Sequence, residues 1–253
     1  VDVVRYRWNG QELVDVSGSA SIDLFVADSF LVSEGTVVDI DAHLGRFSES
    51  AQRQRLLRPI DAFLNAVVAV LPRQGNFFPR IELTERGELE LRIRDAPALT
   101  STITVINATA DPRRTPEIKG PDIPGLAKVQ ESAKASGADD AIILNAMGNI
   151  IDGTTTCLVW VAGEKVYQPP REFSRVSSVT VAQMEKILGQ PLQEQPLTPS
   201  ELHGYELYAL NSLHGIRAVT TWIDGPTLEI NTNRLEMWRN SYNELFAALP
   251  ETT

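Results

Sequence analysis

Through its first hundred residues the chain alternates apolar and polar positions, interrupted by glycine. "VVRYRWNGQELVDV" (3–16) predicts two strands around the Asn9-Gly10 turn, since Asn-Gly readily adopts the positive φ values of a tight hairpin. "SIDLFVADSFLVSEGTVVDI" (21–40) continues in strands, with a turn at Glu34-Gly35. From Ala51 to Leu71 the pattern becomes helical, and "IDAFLNAVVAVL" carries apolar residues at helical spacing. "FFPRIELTERGELELRIRDAP" predicts a strand pair turning at Gly87, and "STITVINAT" one more strand.

Pro112, Pro116, Pro121 and Pro124 then break periodicity, because each fixes its own φ and biases its predecessor away from helix. This segment reads as a linker. Beyond it, "GLAKVQESAKASG" predicts an amphipathic helix closed by Gly137. "DDAIILNAMGNIIDGTTTCLVWVAGEKVYQP" predicts a hairpin turning at Gly148 and further strands. "SSVTVAQMEKILG" is a helix with a serine cap and a closing Gly189. "ELYALNSLHGIRAVTTWIDG" returns to strand, and "NRLEMWRNSYNELFAAL" predicts a last helix. The order is mixed rather than strictly alternating, which predicts an α+β fold in two lobes meeting near residues 107 to 120. We divide the chain into an N-terminal lobe (1–108), a linker (109–124) and a C-terminal lobe (125–253).

Composition narrows the function classes. With 253 residues, 43% of them hydrophobic, a substantial core is expected. The formal charge of -10 argues against a nucleic-acid or anionic-membrane surface, which needs a positive field. Arg53, Arg55 and Arg58 read as a solvated helix face. The single cysteine, Cys157, excludes an internal disulfide. No basic-then-apolar leader opens the sequence and no apolar run approaches the ~20 residues of a membrane span, so a soluble, cytoplasmic protein is expected. Val1 is not an initiator methionine, which leaves the true N-terminus open.

The chain has no G-x-S-x-G elbow, no G-x-x-x-x-G-K phosphate loop, no G-x-G-x-x-G and no paired-cysteine metal spacing. His43, His203 and His214 are too scattered to suggest zinc, so no metal is expected. Lysine is more informative. Lys128, Lys134 and Lys186 fall on polar helix faces and Lys165 in the turn "AGEK". Lys119, in "RRTPEIKGPDIPGL", alone sits in a stiff, non-helical setting, as a lysine used for Schiff-base chemistry would.

At this point the residues resemble a family. "EIKGPDIPGLAKVQESAKASGADDAIILNAMGNIIDGTTTCLVWVAGEKVYQPP" is similar to the core of the class IV aminotransferases. These pyridoxal-phosphate enzymes include branched-chain and D-amino acid aminotransferases and 4-amino-4-deoxychorismate lyase. The recurring pattern is a lysine, a helix ending in glycine, Asp-Glu, an apolar strand, a glycine turn, then Glu-Gly before a strand. Lys119, Gly137, Asp139-Asp140, "AIILN", Gly148 and Asp152-Gly153 stand in those slots. "GTVVDIDAHLGRF" resembles the N-terminal signature, with His43 and Arg46 three apart, and "LNSLHGIRAVTTWIDG" resembles the late strand of the lyase branch. The likeness covers residues 25–50 and 110–225.

The resemblance implies the two-lobed class IV fold, a pyridoxal 5'-phosphate cofactor, and a homodimer acting on an amino acid and a 2-oxo acid. It implies that Lys119 holds the cofactor's aldehyde and later moves the Cα proton. Arg46 would bind the phosphate, or alternatively form a surface salt bridge. Val176 and Ser177 would hold the phosphate at a helix start, a role compatible with Ser177 or Ser178 acting as an N-cap. Asp152 would face the pyridine nitrogen in a slot where the family has glutamate, or be a turn residue. Ser212 and Leu213 would line the phosphate or substrate side. Asn211 matches the lyase-branch asparagine, with a strand-end residue as the alternative. Arg113 and Arg114 are placed to meet a substrate carboxylate, or form a solvated pair. Pro124, Cys157 and Arg175 depart from the family pattern. Three functions therefore stay open: transamination, aminodeoxychorismate lysis, and ligand binding without turnover.

Overall fold

The computed structural model describes residues 3–17, 23–54 and 60–251. Contacts divide the chain into two compact units, one of residues 1–99, 118–121 and 245–253, the other of 100–117 and 122–244. The sequence division at 108 and 124 treats 109–124 as one linker, whereas here Ile118–Pro121 packs as part of the first unit.

Among the described residues the first unit holds two antiparallel sheets. One runs in the order β2 (Leu13–Asp15), β1 (Val3–Trp8), β8 (Leu89–Arg94), β7 (Arg80–Thr84), β3 (Leu24–Ser29). Strand alternation sends Ile81, Leu83, Leu89, Leu91 and Ile93 to one face. There they meet Phe47 and Ala51 of α1 (Ile40–Arg53) and Phe63, Leu64 and Val67 of α2 (Asp61–Val70). On the other face register sets Arg80 opposite Arg92 and Glu82 opposite Glu90, like against like. Neighbour pairing resolves this: Glu82 lies 2.5 Å from Arg80 and 3.0 Å from Arg92, and Glu90 takes Arg5 and Arg7 at 2.8 Å each. The second sheet is β17 (Phe246–Ala248), β5 (Thr36–Val38), β4 (Val32–Ser33) and β6 (Asn76–Phe77), over a core of Phe30, Val32, Val37, Ile40 and Leu249.

The second unit is built on a mixed sheet. Its order is β11 (Ile150–Gly153), β10 (Asp140–Leu144), β9 (Thr102–Asn107), β16 (Gly215–Ile223), β15 (Glu206–Asn211), β12 (Cys157–Ala162), β13 (Lys165–Gln168), β14 (Gln193–Glu194). β9 pairs in parallel with both β10 and β16, while β10–β11 and β15–β16 are antiparallel hairpins. Helices α3 (Ile123–Ala135), α4 (Val179–Leu188) and α5 (Thr232–Asn243) pack against β10, β15 and β16 respectively.

Three expectations about elements need correction. Helix begins at Ile40 rather than Ala51, because Asp39 caps it, accepting from the Ala42 N–H at 3.2 Å, and Ile40, His43, Phe47 and Ala51 share the buried face. Phe246–Ala248 is strand, not the end of the last helix, because it pairs with β5. The first hairpin has a four-residue loop, with Trp8 opposite Leu13, in which the Asn9 side chain accepts from the N–H groups of Gln11 and Glu12. Arg53 is exposed at the end of α1; Arg55 and Arg58 lie outside the described residues.

Candidate functional site

In the first unit, Lys119 is half-buried on an irregular segment fixed at its backbone. Its carbonyl accepts from the Ala27 N–H at 2.7 Å, and Ile118 packs onto the apolar core. Gly120 is obligatory there, with φ at 148° and the Val26 Cα only 2.7 Å from where a Cβ would stand. Close approach to β3 thus locks the residues on either side of the lysine.

Arg46 and His43 rise from α1 toward Asp28 on β3. The guanidinium donates from Nε to Asp28 Oδ2 at 2.6 Å and from Nη2 to Oδ1 at 2.8 Å, a bidentate pair. His43 Nδ1 lies 2.9 Å from the same Oδ1. Burial, the largest single effect, would raise the Asp28 carboxyl, but the charges of Arg46 and His43 and their hydrogen bonds together outweigh it and hold the group far below the usual range. An ionised carboxylate only accepts, so the proton sits on Nδ1 of His43. Burial pushes His43 itself below its ordinary value, against the attraction of Asp28 and with the charges of Arg46 and Lys119 adding to the depression. Arg46, His43 and Lys119 are therefore electrostatic neighbours. The salt-bridge alternative for Arg46 is present, but with a buried carboxylate.

In the second unit Arg175, Arg113, Cys157 and Asp140 act on Asp152. It lies on β11, 9% exposed, and its Oδ1 has no hydrogen-bond partner. Burial pushes its carboxyl up to about 7, against the charges of Arg175 and Arg113 and a hydrogen bond from the Cys157 thiol; Asp140 adds to the rise. Burial also pushes that thiol up to about 12, with Asp152 reinforcing the rise, while Arg175 and a bond to Ser178 act against it. Arg175 is anchored through Nη2 to Gln168 Oε1 at 2.9 Å and the Pro169 carbonyl at 2.8 Å, leaving a buried Nε without a partner. Arg113 spends its fork on Asp111, with Nε to Oδ1 and Nη2 to Oδ2 both at 2.9 Å. Arg114 is exposed, its backbone held by Asp122, so only one of the two arginines belongs with Asp152.

Asp140 shapes the turn after β11. Its oxygens accept from Thr154 N–H and O–H, Thr155 N–H and O–H, and Thr156 O–H. Asn211 ties the neighbouring turn to it, donating to the Thr155 carbonyl at 3.3 Å and accepting from the Leu213 and His214 N–H groups. Its amide is used structurally at every one of these contacts. Ser212 and Leu213 are half-buried in that turn. Ser178 is the N-cap of α4, accepting from the Val181 N–H at 3.2 Å; half-buried Val176 and exposed Ser177 precede it.

Sequence reasoning missed Asp28, whose signal was a carboxylate inside the apolar run "LFVADSFLV", and recorded Cys157 and Arg175 only as departures. Among the described residues, no three His, Cys, Asp or Glu side chains are grouped to hold a metal, and no helix is long and apolar enough to cross a membrane.

The first unit offers a rigidly framed lysine; the second, by itself, offers a buried carboxylate oxygen without a hydrogen-bond partner and a hydroxyl-capped helix start. The family described as Amino-transferase class IV matches residues 26–222. No curated protein matches. Solved structures do, with TM-scores that establish the fold. The fold IV-transaminase CpuTA1 from Curtobacterium pusillum is 17% identical with a TM-score of 0.78, covering 95% of this chain and 97% of its own. The branched-chain aminotransferase from the thermophilic archaeon Thermoproteus uzoniensis, solved with norvaline, is 19% identical with a TM-score of 0.77, covering 98% of this chain and 100% of its own. The PLP-bound form of a hypothetical aminotransferase from Mycobacterium tuberculosis is 16% identical with a TM-score of 0.77, covering 96% and 98%.

Proposed function

Because the chain belongs to the class IV aminotransferases, we propose that it transfers an amino group between an amino acid and a 2-oxo acid, using pyridoxal 5'-phosphate. The observation that carries this reading is Asp152 Oδ1, a buried carboxylate oxygen without a donor. Such an atom is costly unless a proton-bearing group meets it, and a protonated pyridine nitrogen is the group the family places there. The residues present fit the cofactor. When bound, its ring accepts the electron pair left at a substrate's Cα.

The roles of this chain's residues follow. The Lys119 amine would hold the cofactor at its aldehyde carbon and would move the proton at a substrate's Cα. Arg46 brings its positive charge to the phosphate. Val176 and Ser177 at the start of α4, with Ser212 and Leu213, take the remaining phosphate oxygens through amides and hydroxyls. Asp152 holds the proton of the ring nitrogen. Arg113, anchored by Asp111, supplies positive charge for a substrate carboxylate.

The lyase alternative rests on the resemblance of "NSLHG" to that branch, and the structural use of the Asn211 amide lends it no support. The experiment is a half-reaction. An amino acid alone should convert bound cofactor to its amine form, and borohydride followed by peptide mapping should label Lys119. Pyruvate release from aminodeoxychorismate, without conversion by any amino acid, would reverse the choice. Label on Lys128 or Lys165, or none at saturating cofactor, would refute the site. A homodimer is part of the proposal and is checked by light scattering.

A further inference from the structure

Arg175 departs from the family pattern, and the second unit holds its guanidinium in an unusual way. The residue precedes Val176 and Ser177 and stands three positions before Ser178, the N-cap of α4. Its side chain is anchored through one nitrogen only. Nη2 donates to Gln168 Oε1 at 2.9 Å and to the Pro169 carbonyl at 2.8 Å. Gln168 closes β13 and is 4% exposed, so the anchor is itself fixed by burial. Arginine carries five N–H groups. Nη2 uses its two, and those on Nε and Nη1 meet no acceptor among the described residues. Nε is buried, whereas Nη1 is not.

We infer that Arg175 is a phosphate-binding residue particular to this chain: held by Gln168 and Pro169, it offers Nη1 to the cofactor phosphate at the start of α4. Charge supports the assignment as much as the unused donors do. Both acceptors that hold Arg175 are neutral, and among the described residues no carboxylate forms an ion pair with it. Arg46 differs, because Asp28 takes its Nε and Nη2 and offsets its charge. A phosphate monoester brings about −1.5 to −2 charges at neutral pH. An arginine whose charge is not offset suits that group, and the positive end of the helix dipole adds to it. Arg175 also lowers the Asp152 carboxyl against the effect of burial. A role confined to Asp152 is therefore the account that the experiment has to separate.

The inference rests on the reading that the start of α4 takes the phosphate, and two variants test the two apart. Dissociation constants for pyridoxal 5'-phosphate and for pyridoxal, which lacks the phosphate, are measured on cofactor-free protein by absorbance titration. Arg175→Gln should weaken binding of the phosphorylated form about tenfold to a hundredfold, the worth of one charge-assisted hydrogen bond, and leave pyridoxal within about twofold. Arg175→Lys, which keeps the charge, should recover part of the loss. Equal weakening of both ligands by Arg175→Gln would confine the residue to Asp152 and overturn the inference, as would unchanged affinity for both. Ser177→Asp puts a negative charge at the helix start. If it leaves pyridoxal 5'-phosphate binding unchanged, the phosphate is not held at α4 and the inference falls with that reading. If it weakens binding while Arg175→Gln does not, the reading stands and the role of Arg175 alone is refuted.

Discussion

Gly120→Ala tests whether the lysine segment is held by its backbone. The added Cβ would stand 2.7 Å from Val26 Cα and 2.9 Å from Val26 N and C. These are main-chain atoms, so no rotamer change relieves the contact. Overpacking of this kind costs about 1–3 kcal/mol, and a non-glycine residue in so sparse a φ region costs about 1–3 kcal/mol. The two are not additive, because movement away from Val26 relaxes both while breaking the Lys119 carbonyl bond to Ala27, worth about 1 kcal/mol. A net loss of about 3 kcal/mol is expected, large against the roughly 5–15 kcal/mol that holds a domain folded. The Ala27 amide reports it directly: its hydrogen exchange should accelerate by about two decades, since ~1.4 kcal/mol is tenfold. Borohydride labelling of Lys119 should fall in parallel. Wild-type protection at Ala27 together with a wild-type denaturant midpoint would show that the segment is not fixed by this approach.

Arg46→Ala removes the guanidinium from buried Asp28 and should cost about 3–5 kcal/mol in unfolding experiments before any cofactor effect; Arg46→Lys should lose less, and equal losses would argue against the bidentate pair. For Asp152, burial raises the folded-state pKa to about 7, above its unfolded value, so its contribution to stability is greatest at low pH and declines as pH rises toward 7. Cofactor-free Asp152→Asn should therefore be more stable than wild type by roughly 4 kcal/mol at pH 8 and match it below pH 4, while binding cofactor less tightly; a destabilised variant at pH 8 refutes this. Burial and the charges of Arg217 and Arg239 depress His214 to about 4, and its Nδ1 accepts from the Thr100 N–H at 3.2 Å. Folded pKa below unfolded means that stability falls as pH drops from 6.5 toward 4, so His214→Asn should flatten the urea-midpoint profile in that window. An unchanged slope would remove His214 from the acid response.

Strands and hairpins were legible because side-chain alternation and positive-φ glycines are local signals. Gly87, Gly148 and Gly163 mark turns that the structure contains. Helix α1 was read late because its buried face includes His43 and Ser50, polar residues whose presence there follows from the fold around them. β17 was read as helix because three residues cannot announce a partner, β5, about two hundred positions away. The site divides in the same way. Lys119 could be singled out by the prolines around it, and Ser178 by its place before an apolar run. Asp28 could not be assigned a purpose, since its partners come from α1. Arg113 and Arg114 look equivalent in sequence; only burial and Asp111 distinguish them.

The strand Phe246–Ala248 also bears on how the protein is made. β5 receives its neighbour, and the Phe30 cluster receives Leu249, only after about two hundred further residues have been translated. Until then Thr36–Val38 presents an unpaired strand edge rich in valine, the kind of edge that recruits other chains. A nascent chain stalled before residue 246 is thus a nucleus for aggregation rather than a smaller working protein. Translation speed across the codons that precede residue 246 should influence yield more than substitutions on the solvent face of α5.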